Sequence, residues 1–200
     1  VIIDQGVHKF TLLNWLLRPV ESAQAWLTKV LPSPPNKGED NAIIQLCFTS
    51  GAFVEVTLSS TSLHPINNNT ELLGTVGHIV EDHSLTPPVK IFSSHPKALK
   101  QNEHYSPSDI EYGAYPMYYN ISARIEDSYF GHCLQTNTEP EFTPTEAKNV
   151  VMVTFLSYLS VQKNRPVSMA ELTDVIVQKG SKSILDELGS KVYHVPHSIT

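Results

Sequence analysis

Asp40-Asn41-Ala42-Ile43-Ile44-Gln45-Leu46-Cys47-Phe48 and Ala52-Phe53-Val54-Glu55-Val56-Thr57-Leu58-Ser59 flank the short turn Thr49-Ser50-Gly51. Two runs rich in β-branched and aromatic residues around a three-residue turn ending in glycine predict a β-hairpin. In the second run Phe53, Glu55, Thr57 and Ser59 alternate with Val54, Val56 and Leu58, which gives the sheet one apolar face and one mixed face. An uncovered mixed face of this kind invites a symmetric partner.

Working outward, Glu21 to Val30 reads as a strand that ends at the polar, rigid loop Pro32-Ser33-Pro34-Pro35-Asn36-Lys37-Gly38. On the other side Glu71 to Val80 predicts a strand, a glycine-marked turn and a return strand, and Val89 to Ser93 adds one more. Strands that follow one another without intervening helices point to an antiparallel or mixed meander, unlike alternating β-α units. From Ser94 to Pro107 the chain is polar and irregular.

Helical periodicity lies toward the two ends. An apolar helix from Val7 to Leu17 should stop at Arg18-Pro19, because the residue before proline resists helix. Tyr118, Ile121, Ile125, Tyr129 and Leu134 form one apolar stripe of a helix over Tyr115 to Leu134. Thr143-Pro144-Thr145-Glu146 is a helix start with a capping threonine, proline at the first helical position and glutamate three after the cap. That helix runs through Val150, Val153, Leu156 and Leu159 to about Val161, before Asn164-Arg165-Pro166, and two shorter helices follow near Met169 to Gln178 and Lys182 to Leu188. The expected fold class is α+β: a predominantly antiparallel or mixed open sheet with flanking helices.

Two hundred residues, 40% hydrophobic and 17% charged, suffice for one substantial core. A net charge of −6 argues against nucleic-acid and anionic-membrane partners and leaves small polar ligands open. Cys47 and Cys133 are too few and too far apart for a disulfide framework, so a reducing, cytoplasmic setting fits best. No apolar stretch reaches the roughly 18 residues of a spanning helix, and no signal segment is present. Among nine glycines none are spaced Gly-x-Gly, so there is no dinucleotide-binding fingerprint. His194-x-x-His197 stands alone without a third ligand, and no metal site is expected.

The candidate chemistry sits at the start, in Val1-Ile2-Ile3-Asp4-Gln5-Gly6-Val7-His8. Asp4 and His8 are four apart, so on a helix both emerge on one face, one turn from each other. A carboxylate there can orient an imidazole and raise its basicity, which suits proton transfer near neutral pH. The same spacing also suits an N-cap followed by a polar-face histidine, and the pair alone leaves both readings open.

Asp4-x-Gly6-x-His8 opening a Leu-rich helix resembles the D-x-G-x-H segment of the Gfo/Idh/MocA oxidoreductases, at the head of their C-terminal, substrate-binding domain. Glu39-Asp40 before a strand, the turn Phe48 to Gly51, Glu71 to Gly77, Phe130-x-x-Cys133-Leu134, and then Pro140, Thr143, Glu146-Ala147 and Arg165-Pro166-Val167 resemble that domain in the same order. Lys9 departs from the pattern, standing where many members have an acidic residue. The likeness covers residues 1–168, a substrate-binding and oligomerisation domain, with 169–200 read as its C-terminal helical extension.

The resemblance implies an enzyme that moves a hydride between NAD or NADP and a carbinol carbon of a sugar or cyclic polyol. It implies His8 as the acid/base, Asp4 as the carboxylate that contacts substrate and tunes it, and Gln5 as a hydroxyl-binding neighbour. It further implies a homo-oligomer formed through the sheet face, and a nucleotide-binding domain that these 200 residues lack, so that the chain alone would be inactive. A glycoside hydrolase using NAD transiently, and a non-catalytic dimerisation or binding domain, are the alternative readings on the same scaffold.

Overall fold

The structure, a computed structural model, describes residues 1–17, 19–30, 38–62, 69–82, 89–97, 117–188 and 192–194. The expectations for the Pro32–Lys37 part of the first loop, for residues 98–107 of the irregular stretch, and for Arg18 and His197 lie outside these residues. In chain order the elements are a π-helical turn Ile2–Gly6, α1 (Val7–Leu17), β1 (Val20–Lys29), β2 (Asn41–Phe48), β3 (Phe53–Ser59), β4 (Thr70–Gly74), β5 (Gly77–Glu81), β6 (Val89–Ser93), α2 (Met117–Thr136), α3 (Pro144–Lys163), β7 (Val167–Ser168), α4 (Met169–Lys179), α5 (Lys182–Leu188) and β8 (Tyr193–His194). The chain divides into two units, Val1–Leu63 with Glu141–Thr200, and His64–Pro140.

The first unit is built on a sheet of order β3-β2-β1-β7, with β8 also on β1. The hairpin forms as expected: β2 and β3 pair antiparallel from Asn41↔Ser59 to Cys47↔Phe53, and Gly51 takes a φ of 83° in the turn, a conformation that glycine adopts without steric cost. β1 runs antiparallel to β2 and to β7, while β8 joins it parallel, so the sheet is mixed. Val20 and Ala23 both point inward although they are three apart, because a bulge between Val20 and Ser22 shifts the register by one residue.

Ala23, Ala25 and Leu27 of β1, Ala42, Ile44, Leu46 and Phe48 of β2, and Val56 and Leu58 of β3 make the inner face. Phe10 and Leu13 of α1 and Val150, Val153, Leu156 and Leu159 of α3 complete the same core, together with Leu172, Ile184, Leu188 and Val192 from the last part of the chain. On the opposite face Trp26, Ile43 and Phe53 are between 45% and 65% exposed, and among the described residues of this unit no helix packs over them. Adjacent register positions on that face are polar, as Gln24 pairs with Gln45 and Gln45 with Glu55.

α3 begins with the expected capping box: the Thr143 hydroxyl accepts from the Glu146 N–H, Glu146 Oε2 accepts from the Thr143 N–H, and Pro144 opens the helix. It ends on Asn164 in the left-handed conformation. Ser160 of α3 also serves the sheet. β7 pairs with β1 only at Ser22 and Ala23 and β8 only at Thr28 and Lys29, and in the interval between them the Ala25 N–H donates to Ser160 Oγ at 2.9 Å. A backbone donor that no strand reaches is thus satisfied by a helix side chain.

The second unit contains an antiparallel three-stranded sheet, β4-β5-β6, and α2. The turn between β4 and β5 falls where the glycines of Glu71 to Val80 predict it, since Gly74 faces Gly77 across the ladder. The helix expected over Tyr115 to Leu134 is present as α2 from Met117, and of its apolar stripe Ile125, Tyr129 and Leu134 are 41–68% exposed. Periodicity fixes the helix, and what covers its apolar face is a separate question. Among the described residues no helix is long and apolar enough to cross a membrane.

Past α3, Glu171 in the first turn of α4 takes a two-pronged bond from Arg165, with Nη2 at 2.6 Å from Oε1 and Nη1 at 3.0 Å from Oε2, and also pairs with Lys163. The Arg165 guanidinium, then the Lys163 ammonium, hold the Glu171 carboxyl down at about 2, from an ordinary 4.5. A depressed carboxyl contributes stability above its unfolded pKa and loses it as the pH falls through the folded value. Glu171→Gln should therefore be less stable than the wild type at pH 6 by less than about 1 kcal/mol, because the pairs are largely solvated. The difference should shrink between pH 4.5 and about 2, as urea unfolding at a series of pH values would show. A deficit independent of pH would contradict the assignment.

Candidate active site

Ile2, Gly6, Phe10 and Leu13 are buried and spaced four, four and three apart, so one side of the opening helix is locked into the core. Its first turn is wider than an α turn: the Gly6 N–H reaches back five residues to the Val1 carbonyl at 3.3 Å, while the Gln5 N–H donates to the same oxygen at 2.8 Å. Such π turns inside helices are frequent at functional sites. Asp4, Gln5 and His8 are all exposed on the side away from the core. The structure thus puts the three expected residues on one accessible surface, and among the described residues no hydrogen bond or ion pair joins Asp4 to His8.

The glycine of Asp4-x-Gly6-x-His8 has a packing reason. A Cβ at position 6 would lie 3.1 Å from Leu58 Cδ1 of β3, 3.3 Å from Ile2 Cγ2 and 3.4 Å from Phe10 Cε2. The helix approaches the sheet closely enough that a side chain at position 6 would need Leu58 to give way by a few tenths of an ångström. Trp15, read with the apolar run Phe10 to Leu17, is instead 72% exposed. It lies seven residues after His8, two helical turns on, and so shares the stripe of Asp4 and His8 and not that of Phe10 and Leu13. Counting helical turns from His8 identifies it; hydrophobicity alone does not.

Sequence reasoning missed the group that anchors this surface. Glu39, just before β2, is 7% exposed, and its Oε1 accepts from the Ile2 N–H at 2.8 Å, the Val1 nitrogen at 2.9 Å and the Tyr158 hydroxyl of α3 at 3.1 Å. Its own carbonyl oxygen takes a further bond from the Val1 nitrogen at 3.0 Å. Burial pushes the Glu39 carboxyl up, but the Ile2 N–H and the Val1 nitrogen outweigh it and hold the group below the ordinary carboxylate range. Burial and the facing Glu39 charge push the Tyr158 phenol up. The next residue, Asp40, faces the strands, where its two carboxylate oxygens accept from the Val30 N–H at 2.9 and 3.0 Å and its carbonyl accepts from the Ser60 N–H at 2.8 Å.

Residues 1–80 match the family model described as the GFO/IDH/MocA C-terminal domain, a span that contains Asp4, Gln5, His8 and Glu39. Among the solved structures that share the fold, three illustrate the likeness. The chain is similar to levoglucosan dehydrogenase in complex with NADH, with a TM-score of 0.66 and 19% identity over 83% of this chain and 49% of that one. It is similar to an oxidoreductase from Agrobacterium radiobacter in complex with NAD+, L-tartaric acid and magnesium, with a TM-score of 0.62 and 20% identity over 85% and 49%. The WlbA dehydrogenase from Bordetella pertussis, in complex with NADH and UDP-GlcNAcA, gives a TM-score of 0.57 and 19% identity over 84% and 44%. None of the curated proteins matches. The resemblance read in the sequence is matched by the Gfo/Idh/MocA C-terminal domain model over residues 1–80, and the α+β fold is shared with these dehydrogenases. It spans about half the length of the structures it matches.

A pyrophosphate needs free N–H groups at a helix start, and the Ile2 N–H and Val1 nitrogen at the head of this helix are already bound to Glu39. What the site offers is a carboxylate, an amide and an imidazole on one exposed helical surface.

The close approach at Gly6 can be tested directly. Gly6→Val should destabilise the chain by about 1–3 kcal/mol, the usual cost of overpacking. Combining it with Leu58→Ala should cost less than the sum of the two, because the second change removes the atom that the new side chain meets. Strict additivity in thermal unfolding would show that the contact does not set the helix position.

Proposed function

We propose that the chain is the substrate-binding half of an NAD(P)-dependent oxidoreductase acting on a sugar or cyclic polyol. The observation that carries this reading is the placement of Asp4, Gln5 and His8 on the exposed side of a helix whose other side is locked in the core, within the span that matches the family model. Residues 169–200 continue the same domain in this reading, supported by Leu172, Ile184 and Leu188 in the shared core. Two free cysteines accord with a cytoplasmic setting.

His8 takes the hydroxyl proton as the carbinol is oxidised and returns it in the reverse direction. Asp4, one turn before it on the same side, accepts from a substrate hydroxyl, while the Gln5 amide can both donate to and accept from a neighbouring hydroxyl. Trp15 adds an exposed indole face on the same stripe, an apolar platform of the kind that suits the C–H face of a sugar ring. A nicotinamide, held by residues other than those described here, would supply the hydride chemistry. The relatives bound to NADH, one of them also to UDP-GlcNAcA, support the cofactor and substrate class.

In the complete enzyme, His8→Ala should lower turnover of alcohol oxidation by roughly 10²- to 10⁴-fold while cofactor affinity stays nearly unchanged. Asp4→Asn should act in the same direction more mildly. A folded His8→Ala enzyme with near-normal turnover would rule out His8 as the base.

The second part of the proposal concerns the uncovered sheet face. Trp26, Ile43 and Phe53 among glutamines and Glu55 form a surface with both apolar and hydrogen-bonding groups, and a second copy of the chain is its proposed occupant. Sedimentation at tens of micromolar should therefore give an oligomer, and Trp26→Glu should shift it toward monomer. A monomeric wild type at that concentration would refute this part alone.

A further inference from the structure

We infer that Glu39 is a positioning residue for the Asp4 and His8 pair, setting the orientation of the helix turn that carries them. The inference rests on the assignment of those two residues to proton transfer. Glu39 is one of two buried carboxylates among the described residues and lies 35 positions from Asp4 in sequence. One oxygen, Oε1, receives the Ile2 N–H, the Val1 nitrogen and the Tyr158 hydroxyl. Three donors from two elements converge on a single atom, so the carboxylate ties the head of the site helix to α3. Asp4 follows Ile2 by two residues, inside the same π turn.

The anchor is specific in reach. The head of the helix is held at one point by the carboxylate and along its buried side by Ile2, Gly6 and Phe10. The sheet contact at Gly6 fixes how close the helix lies, and the Glu39 bond fixes how far the turn is drawn along its axis. Drawing the turn back or letting it advance by about 1 Å would move Asp4 relative to His8, a displacement large enough to cost an enzyme about 10²-fold in rate. Adjacent Asp40 holds the ends of β1 and β3, so the same two-residue segment references the site to the sheet.

Reach and charge can be separated. Glu39→Gln keeps an oxygen at the Oε1 position and loses the charge; Glu39→Asp keeps the charge and withdraws the oxygen by one methylene. The readout is the His8 ring Cε1–H resonance at fixed pH in the 200-residue chain, and specifically its change on Asp4→Asn, which reports how closely Asp4 and His8 are coupled. A positioning role requires that change to persist in the Glu39→Gln background and to fall by at least about half with Glu39→Asp. Tyr158→Phe, which leaves the carboxylate and removes its tether to α3, should act in the same direction as Glu39→Asp and serves if that variant does not fold. An unchanged response with Glu39→Asp or Tyr158→Phe overturns the proposal, as does loss with Glu39→Gln and retention with Glu39→Asp, which would make the effect one of charge. No response of His8 to Asp4→Asn in the parent chain overturns it as well. Turnover of the complete His8→Ala enzyme judges the base assignment separately, so the two ideas fail on different measurements.

Discussion

A carboxylate removed from water has to be repaid in hydrogen bonds, and Glu39 obtains them from the groups that the rest of the first unit needs to place. Its donors are the first backbone nitrogens of the opening helix and a phenol on the longest helix of the core. The cost of leaving any of them unpaired in this buried position couples α1, α3 and the start of β2. Asp40, pointing the other way, binds the ends of β1 and β3. Two adjacent acidic residues at a strand entry therefore join the helical layer to the sheet.

The accessible residues inherit their order from this arrangement. Asp4, Gln5 and His8 have no burial of their own to hold them. What restrains them is the opposite side of their helix: Ile2, Phe10 and Leu13 in the core and Gly6 against Leu58. The chemistry proposed for the exposed side thus depends on close packing on the hidden side, where Gly6 lets the helix lie close against Leu58 of the sheet.

Much of the fold was legible because local rules and tertiary packing agree. The hairpin of Asn41 to Ser59, the glycine turn between β4 and β5, the Thr143 capping box and the helix over Lys182–Leu188 all fall where pattern and turn chemistry put them. The exposed sides of α1 and α2 were not legible. Trp15 and Leu134 are apolar residues in periodic runs, and a period says which residues share a face without saying whether that face is covered. The Glu39 to Tyr158 bond joins positions 119 apart, a separation that no spacing rule reaches. For the candidate site, the sequence proposes Asp4, Gln5 and His8, and the structure adds their common exposure and the Glu39 bonds beneath them.

The interrupted border of β1 has a consequence for how this sheet can behave in company. A strand with a free row of donors and acceptors is a template for another chain, and proteins that leave one bare are prone to aggregate through it. Here that border is closed by two strands of two residues each, with a single serine hydroxyl from α3 between them. Edge-to-edge growth is thereby blocked on one side by a small number of groups, all of them contributed by the last third of the sequence. Until that part of the chain has been synthesised and has docked, a nascent polypeptide would present β1 unsealed, which makes the late helices guardians of solubility as well as parts of the core.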